Sequence, residues 1–370
     1  MKKKVLAVLL GGCMVAGLVA GCGSKDDGKA ADGGDSGEGG GGYHFEVVVK
    51  SFQSTYWQAA ITGVDTKAEE LGVTVNKTGP NAESDIADQV QQLNNAINQN
   101  PDGIALAANS QDAVLEALQT ALDKEIPVVC FDTGVPNAPE GSVIATIATD
   151  NEAAGAVAAE NMYEVIKDTI ANATDQVRIG EVNQDATSAN ISGRGMGFIN
   201  KMKELIEADG KTVAVVGNQY YVDQVENNGD EASADVIIEV AVPAQTTVEL
   251  SSTEASNIMT KEDTIAIFGS NQVTAEGVLT ANQNLSVLAA TPEEGVVGVG
   301  FDAGATLKAA VADGTLIGAV TQAPVDQGSL AIQALYDYCE GKEVKDIATD
   351  SYWYDAENME DEDIAPNLYD

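Results

Sequence analysis

Histidine and cationic side chains are scarce in this chain, and their scarcity limits the chemistry it can perform. The 370 residues include one histidine, and 19 lysines and arginines stand against 58 aspartates and glutamates, for a formal net charge of −39 at pH 7. Phosphate contacts need lysine and arginine, so the composition argues against nucleic acid as a partner. Because His44 is the only histidine, a histidine-based catalytic triad and a histidine-rich metal site are excluded. We expect no cofactor.

Cysteine is also rare, with four residues in the chain. Cys13 and Cys22 lie near the N-terminus, so only Cys130 and Cys339 fall in the part that is expected to fold. These two could pair in an oxidising compartment. Two cysteines alone are a weak indication of a disulfide, and the sequence leaves their pairing open.

The N-terminus has the features of a secretion signal. Three lysines, Lys2 to Lys4, precede an apolar run that ends in the lipobox Val19-Ala20-Gly21-Cys22. A basic start, a short apolar core and small residues before a cleavage site mark a removed segment, and the run is shorter than the roughly 20 residues that cross a bilayer. We therefore predict a lipoprotein signal peptide at residues 1–21 and a lipid anchor, such as palmitate, on Cys22. An ordinary cleaved signal with an incidental cysteine is the alternative.

A linker follows the predicted anchor. Residues 22–42 are rich in glycine, aspartate, serine and lysine and are poor in apolar residues. Such a segment cannot bury enough apolar surface to offset the entropy of ordering. We predict a flexible tether that holds the folded part away from the membrane, outside the cytoplasm.

Short apolar strands alternate with amphipathic helices along the rest of the chain, which is typical of parallel sheets covered on both faces. The predicted strands are 45–49, 73–75, 104–107, 126–131, 177–182, 213–216, 265–268, 296–301 and 317–320. The predicted helices are 56–71, a segment around 86–97, 112–122, 152–166, 194–208, one beginning near the capping-box spacing of Thr246, and one within 323–341. Residues 236–242 resemble a strand inside the less regular region 217–245, and their place is left open. Two successive series predict an α/β protein with two Rossmann-like lobes.

Polar and aromatic side chains follow the predicted strands at their carboxyl ends, where ligands bind in open parallel sheets. The candidates are Gln53, Ser54, Tyr56, Trp57, Asp132, Asn183, Gln184, Asp185, Asn190, Asn271, Asp302 and Gln322. Carboxylates accept hydrogen bonds from neighbouring hydroxyls, amides donate and accept, and flat rings cover the C–H face of a sugar. The set predicts a site for a polyhydroxylated ligand. Each aspartate or asparagine alone could instead be a helix N-cap, and the two aromatic residues could instead pack between lobes.

Several stretches of the chain resemble one known family. They are Lys50-Ser51-Phe52-Gln53-Ser54-Thr55-Tyr56-Trp57, Val128-Val129-Cys130-Phe131-Asp132-Thr133, Ala148-Thr149-Asp150-Asn151, Gly193-Arg194-Gly195-Met196-Gly197-Phe198, Phe268-Gly269-Ser270-Asn271, Gly300-Phe301-Asp302 and Val320-Thr321-Gln322-Ala323-Pro324. In this order and spacing they resemble the type I periplasmic sugar-binding proteins, the ribose- and galactose-binding group that feeds ABC importers. The resemblance extends from about Phe45 to Asp370.

The resemblance implies a two-lobed binding protein. Lobe 1 would comprise 43–149 plus 323–348, and lobe 2 would comprise 150–322 plus 349–370, with three chain crossings between them. A monosaccharide-like ligand would bind between the lobes and close them by a hinge motion, and a membrane permease would recognise the closed form. The protein is expected to be a monomer.

Residue by residue, the resemblance implies an aromatic pair and four polar ligands. Tyr56 and Trp57 would stack on the sugar, Asp132 would be the carboxylate of lobe 1, and Asn271, Asp302 and Gln322 would be the ligands of lobe 2.

The chain also departs from that family. Thr133 stands where relatives often have an arginine, no arginine lies within 190–192, and Arg194 fits a helix position that packs rather than binds. Thr246 or Thr247 stands where some relatives have an aromatic residue. A pocket with fewer arginines can hold a neutral sugar, and ribose is not singled out.

Other functions use the same residues. A sensor that presents a sugar or furanosyl signal to a chemoreceptor or sensor kinase is the alternative to an importer receptor, and the sequence does not separate them. A glycosidase would need Asp132 and Asp302 roughly 5–9.5 Å apart across the bond that is cut, and we predict that the protein is not an enzyme. The repeat Gly193-x-Gly195-x-Gly197 lacks the spacing of a dinucleotide-binding motif.

The lipid anchor is tested by replacing the predicted acylation site. Cys22→Ser removes the only atom that the lipobox offers for acylation, so the protein should move from the membrane fraction to the soluble fraction. Fractionation followed by immunoblotting measures the change. Cys13→Ser leaves the lipobox intact and should stay with the membrane, whereas membrane retention of Cys22→Ser would contradict the anchor.

Overall fold

Residues 42–370 are described by a computed structural model. The predicted signal peptide, Cys22 and the tether as far as residue 41 lie outside the described residues. The predictions made for them therefore stay predictions.

Two sheets form the framework of the described residues. The strands of sheet 1 are β1 (His44–Val48), β2 (Thr74–Thr78), β3 (Gly103–Leu106), β4 (Val128–Phe131), β5 (Val143–Thr149) and β13 (Ile347–Thr349). The strands of sheet 2 are β6 (Val177–Val182), β7 (Val213–Gly217), β8 (Val236–Ala241), β9 (Thr264–Gly269), β10 (Leu288–Ala289), β11 (Val296–Phe301), β12 (Gly318–Gln322) and β14 (Ser351–Tyr354). The spatial orders are β13-β5-β4-β3-β1-β2 and β14-β12-β11-β9-β6-β8-β7, with β10 beside β11. The pairing is parallel except between β12 and β14, which is antiparallel.

Helices connect most of these strands. They are α1 (Thr55–Leu71), α2 (Ile86–Asn98), α3 (Leu115–Asp123), α4 (Asn151–Asn172), α5 (Ala189–Ala208), α6 (Gln219–Gln224), α7 (Val248–Met259), α8 (Gln272–Leu285), α9 (Ala305–Ala312) and α10 (Pro324–Cys339), followed by a 3-10 helix (Ala365–Asn367). The α/β class with parallel-dominated sheets is confirmed.

Some elements differ from the sequence prediction. Strand β5 was not predicted, because its burial alternates from residue to residue and its alanines and threonines give no continuous apolar run. Residues 194–208 are helical as predicted, within a helix α5 that begins at Ala189. Thr247, rather than Thr246, caps α7 by accepting a hydrogen bond from the Leu250 amide. The irregular region 217–245 contains α6 and β8, and β8 lies between β6 and β7.

The chain passes between the sheets after β5, after β12 and between β13 and β14. Gln327 of α10 links two of these passages, because its Nε2 donates to Thr149 Oγ1 at 3.1 Å and to Thr349 Oγ1 at 3.0 Å. Gln327 is itself fully buried. That the two sheets move as separate lobes with the predicted boundaries stays a prediction.

Apolar clusters lie on both faces of each sheet. In sheet 1, α1 and α10 cover the face that carries Phe45 and Val47, while α2 and α3 cover the face that carries Val48. In sheet 2, α4 and α5 cover one face, and α7 and α8 cover the other. Burial on both faces explains why most of these strands are apolar throughout rather than alternating.

Glycines allow the covering helices to cross closely. A Cβ on Gly197 of α5 would lie 2.2 Å from Glu152 O of α4, and one on Gly155 of α4 would lie 2.0 Å from Arg194 O of α5. The same arrangement occurs where α1 crosses α10, at Gly63 and Gly328. Gly197 therefore serves helix packing.

The remaining sequence features lie away from this framework. Within residues 42–370, Cys130 and Cys339 are free thiols, and Cys130 is buried. No helix in that range is long and apolar enough to cross a membrane, and no group of three or more histidine, cysteine, aspartate or glutamate side chains there could hold a metal ion.

The close helix crossing makes a specific prediction for stability. Gly197→Ala should lower the free energy of unfolding by about 1–3 kcal/mol, because overpacking forces the backbone of α4 to move. Gly193→Ala is the matched control in the same helix, since its added methyl would meet only ordinary contacts at 3.8 Å. The control should be neutral or gain about 0.5–1 kcal/mol of helix propensity. Urea unfolding of both variants measures the difference, and equal stabilities would contradict the packing role.

Candidate ligand-binding site between the two sheets

A polar cavity lies where the carboxyl ends of strands from both sheets face each other. Sheet 1 contributes residues that follow β1, β2 and β4, and sheet 2 contributes residues that follow β6, β9, β11 and β12. Nine of the twelve strand-end candidates line this central cavity: Ser54, Tyr56, Trp57, Asp132, Gln184, Asn190, Asn271, Asp302 and Gln322. The other three, Gln53, Asn183 and Asp185, do not line it. The topology therefore brings together residues that are widely separated in the chain.

Asp132 is the polar centre on the side of sheet 1. It follows β4 directly, with a left-handed backbone (φ 60°) that aspartate tolerates better than most residues. Its carboxylate accepts hydrogen bonds from Tyr56 Oη at 2.6 Å and from Asn190 Nδ2 at 2.9 Å. Lys50 Nζ lies 3.2 Å away, and this ion pair is buried, with side-chain exposures of 1% for Lys50 and 2% for Asp132.

Asp302 is the corresponding carboxylate of sheet 2. It follows β11 directly, also with a positive φ, of 75°. Its two oxygens accept hydrogen bonds from the Gln272 amide at 3.0 Å and from Gln322 Nε2 at 2.7 Å. Burial raises the pKa of this carboxyl above its usual value, against the lowering effect of the nearby Arg194 guanidinium.

The aromatic pair lies at the start of α1, where Ser54 is the N-cap and accepts from the Tyr56 amide. Tyr56 and Trp57 are buried and meet edge to face, with ring centroids 4.9 Å apart. Trp57 Nε1 donates to Glu83 Oε1 at 2.7 Å. Burial raises the pKa of the Glu83 carboxyl. Burial and the charge of Asp132 raise the pKa of the Tyr56 phenol well above its usual value.

Direct hydrogen bonds join the two sides of the cavity. Lys50 Nζ donates to Asn190 Oδ1 at 2.8 Å, and Gln184 Nε2 donates to Glu83 Oε2 at 2.6 Å. Asn271 caps α8 through its side-chain oxygen, and its Nδ2 also donates to Gln184 Oε1. The N-cap alternative is thus correct for Asn271, which still lines the cavity. Ser54, for which no cap was predicted, is an N-cap as well and also lines the cavity.

Arg194 lines the central cavity and also packs against a neighbouring aromatic ring. It is 1% exposed and lies over the Phe301 ring, with its guanidinium carbon 3.6 Å from the ring centroid. Its nitrogens donate to Asn151 Oδ1 and to the Ser270 carbonyl. These bonds and the stacked ring fix the guanidinium at the cavity wall, in keeping with the packing position expected for it.

The C-terminal segment reaches the same region. The Tyr369 ring meets the Tyr56 ring edge to face at 5.9 Å, and its hydroxyl accepts from the Ala303 amide at 3.2 Å. The acidic run 360–363 before it is exposed. Tyr369 therefore links the Tyr56 side chain to the β11–α9 loop of sheet 2.

Sequence reasoning missed four residues at this site. Lys50 follows β1 within the stretch that carries the resemblance, so its position after a strand could have identified it. Glu83, Gln272 and Tyr369 lie in a loop, at a helix start and near the chain end, where no strand-end rule selects them. Their roles depend on the tertiary fold.

The central cavity is small but chemically well defined. Its volume is about 20 Å³, which is room for roughly one water molecule. Gln322 is 1% exposed, and its Oε1 has no hydrogen-bond partner among the described residues. A buried acceptor of this kind is costly unless something donates to it. The site combines carboxylates, amides and an ammonium group that can exchange their mutual hydrogen bonds for hydroxyl groups.

Comparisons with known proteins agree with this fold. The family model described as a periplasmic binding protein domain matches residues 45–343. The D-allose-binding periplasmic protein of Escherichia coli (strain K12) is 30% identical over 116 residues, which cover 30% of this chain and 37% of that protein. The matched stretch thus spans well under half the length of this curated relative.

Two solved structures are similar over most of their length. A protein from Brachyspira murdochii, described as an ABC transporter, LacI family transcriptional regulator, is 31% identical, with a TM-score of 0.72 over 89% of this chain and 99% of that chain. An ABC transporter solute-binding protein from Agrobacterium vitis with bound D-fucose is 26% identical, with a TM-score of 0.72 over 88% of this chain and 100% of that chain.

The chain belongs to the periplasmic binding protein family, in its type I branch of sugar-binding proteins of ABC transporters. The resemblance inferred from the sequence is confirmed. This family consists of extracytoplasmic binding proteins and not of enzymes, so the prediction that the chain is not an enzyme is also confirmed.

The buried ion pair at the cavity makes a stability prediction. Lys50→Met leaves the Asp132 carboxylate without its cation, so the free energy of unfolding at pH 7 should fall by about 3 kcal/mol or more. Lys77→Met is the matched control, because Lys77 pairs with Asp65 at the surface, with side-chain exposures of 29% and 49%. Surface pairs contribute about 0–1 kcal/mol. Urea unfolding compares the two, and equal losses would contradict a buried, interdependent pair.

Proposed function

We propose that the protein is the extracytoplasmic, lipid-anchored receptor of a sugar ABC importer and that it binds a monosaccharide-like ligand at the central cavity. Two buried carboxylates at one cavity, Asp132 from sheet 1 and Asp302 from sheet 2, carry this proposal. Ionised acceptors make the stronger hydrogen bonds to hydroxyl groups. A ligand with hydroxyls on both sides can therefore join the sheets.

Several further contacts support a polyhydroxylated ligand. Gln322 Oε1 is a buried acceptor without a partner among the described residues, next to Asp302. Asn190, Asn271 and Gln184 can each donate and accept. Tyr56 and Trp57 supply aromatic surface at the same cavity. The relatives named above are described as binding D-allose and D-fucose, which are neutral sugars of this kind.

Binding would exchange protein contacts for ligand contacts. A sugar ring needs more space than the central cavity has, so the two sheets would separate and then close again around the ligand. A ligand that touches both sheets only in the closed form stabilises that form. We expect a monomer whose closed form is recognised by a membrane permease. A sensor kinase or chemoreceptor would use the same form, and uptake of labelled sugar, lost on deletion of the receptor, would favour import.

The first test is thermal unfolding of the full chain with D-allose, D-fucose, D-ribose, D-glucose, D-galactose and D-arabinose. A ligand at 100 times its dissociation constant should stabilise the protein by about 2.7 kcal/mol. A folded protein that responds to no sugar in this panel and to no disaccharide would contradict the proposal.

The carboxylate of sheet 2 should be essential for affinity. Asp302→Ala should raise the Kd of the sugar that binds by roughly thirtyfold or more, because a charge-assisted hydrogen bond contributes about 2 kcal/mol. Isothermal calorimetry measures the change. Asp123→Ala, at the exposed end of α3, is the matched control and should leave Kd unchanged. Equal affinities of Asp302→Ala and the control would rule out this site.

A further inference from the structure

A second, larger cavity lies beside the central one. Its volume is about 390 Å³, against about 20 Å³ for the central cavity. The loop before α1 and the loop after β2 form one wall, and the N-terminal turns of α7 and α8 form the other. This outer cavity is thus bounded by residues from the sides of both sheet 1 and sheet 2, as the central cavity is.

The two cavities are neighbours separated by one narrow bridge. Ser54, Glu83 and Gln272 line both of them. Between the sides, Ser54 Oγ donates to Gln272 Oε1 at 3.3 Å, and Gln272 Nε2 donates to Thr55 Oγ1 at 2.9 Å. These are neutral side-chain bonds, each contributing about 1 kcal/mol. A ligand that separates the two sides breaks the bridge and joins the cavities into one space.

The side chains that line the outer cavity determine which kind of ligand it can bind. They carry hydroxyls, carboxamides and two carboxylates, Glu83 and Glu276, together with small apolar residues such as Ala82 and Val248. Among the described residues that line it, none is lysine, arginine or aromatic. A phosphate would meet carboxylates and no cation, and a nucleobase would find no ring to stack on. A neutral hydroxylated group can donate to both carboxylates and can lay its C–H face on the apolar residues.

We propose that the outer cavity is a second subsite and that the preferred ligand is a disaccharide, with one ring in the central cavity and the other ring in the outer one. This inference rests on the proposed function. The outer cavity has the size of small-molecule sites, which are roughly 300–1,000 Å³. Once the bridge at Gln272 is broken, the joined space gives the second ring a place beside the first.

Calorimetry on the full chain tests the proposal with maltose, cellobiose, lactose and melibiose against D-glucose and D-galactose. At least one disaccharide should bind about tenfold more tightly than its constituent sugars. If a monosaccharide binds as well as or better than every disaccharide, the inference is wrong and the proposed function stands. If the folded protein binds neither class, nor any sugar of the thermal panel, both are wrong.

Blocking the outer cavity provides a second measurement. Ala82→Trp places a large ring in the cavity from a half-buried side chain that has no polar group. It should raise the Kd of the disaccharide about tenfold and change that of the monosaccharide less than twofold, while Ala82→Ser should change neither. Val248→Trp blocks the cavity from the opposite wall if the first variant does not fold. Equal effects on both ligands, or no effect on either, would overturn the second subsite.

Discussion

The buried carboxylate of Asp132 is the constraint on which the site depends. A charge removed from water costs several kcal/mol unless it is paired and hydrogen-bonded. Its donors come from three elements: Lys50 after β1, Tyr56 in α1 and Asn190 in α5. The first two belong to the side of sheet 1, whereas Asn190 belongs to the side of sheet 2. The hydrogen bonds to the Asp132 carboxylate therefore connect sheet 1 to sheet 2. Lys50 strengthens this connection because it also donates to Asn190.

The chain passages between the sheets are connected to the same carboxylate through Tyr56 and Gln327. Tyr56 donates to Asp132 and also lies 3.0 Å from Gln327 Oε1, while Gln327 Nε2 holds the threonines at two chain passages. The surroundings of Asp132 are thus connected to the passages through Tyr56 and Gln327. Because α1 and α10 cross at glycines with little space to spare, Tyr56 and Gln327 cannot drift apart without moving a whole helix.

The sequence was sufficient to predict the class of fold and most of the strand-end residues that line the central cavity, since burial on both faces and carboxyl-end polarity are local patterns. It was insufficient for β5, whose half-buried pattern differs from that of its neighbours. It also failed to identify Glu83, Gln272 and Tyr369, because each acts through a partner that is distant in the chain. Asn271 shows the limit of choosing one role for a residue: its oxygen caps α8 while its amide nitrogen reaches Gln184. Capping a helix and lining the cavity were alternatives in the sequence, and Asn271 does both in the structure.

The site is largely self-complementary, and this property governs what a ligand must do. Lys50, Asn190, Gln184 and Glu83 already satisfy one another across the cavity, so a ligand gains only the difference between its own hydrogen bonds and those it replaces. A ligand that replaces only one of these bonds leaves buried groups without partners and is penalised. A ligand that satisfies all of them, including Gln322 Oε1, has no such penalty. Under the proposed function, discrimination between sugars would depend less on the number of contacts than on how many buried polar atoms each sugar leaves unpaired.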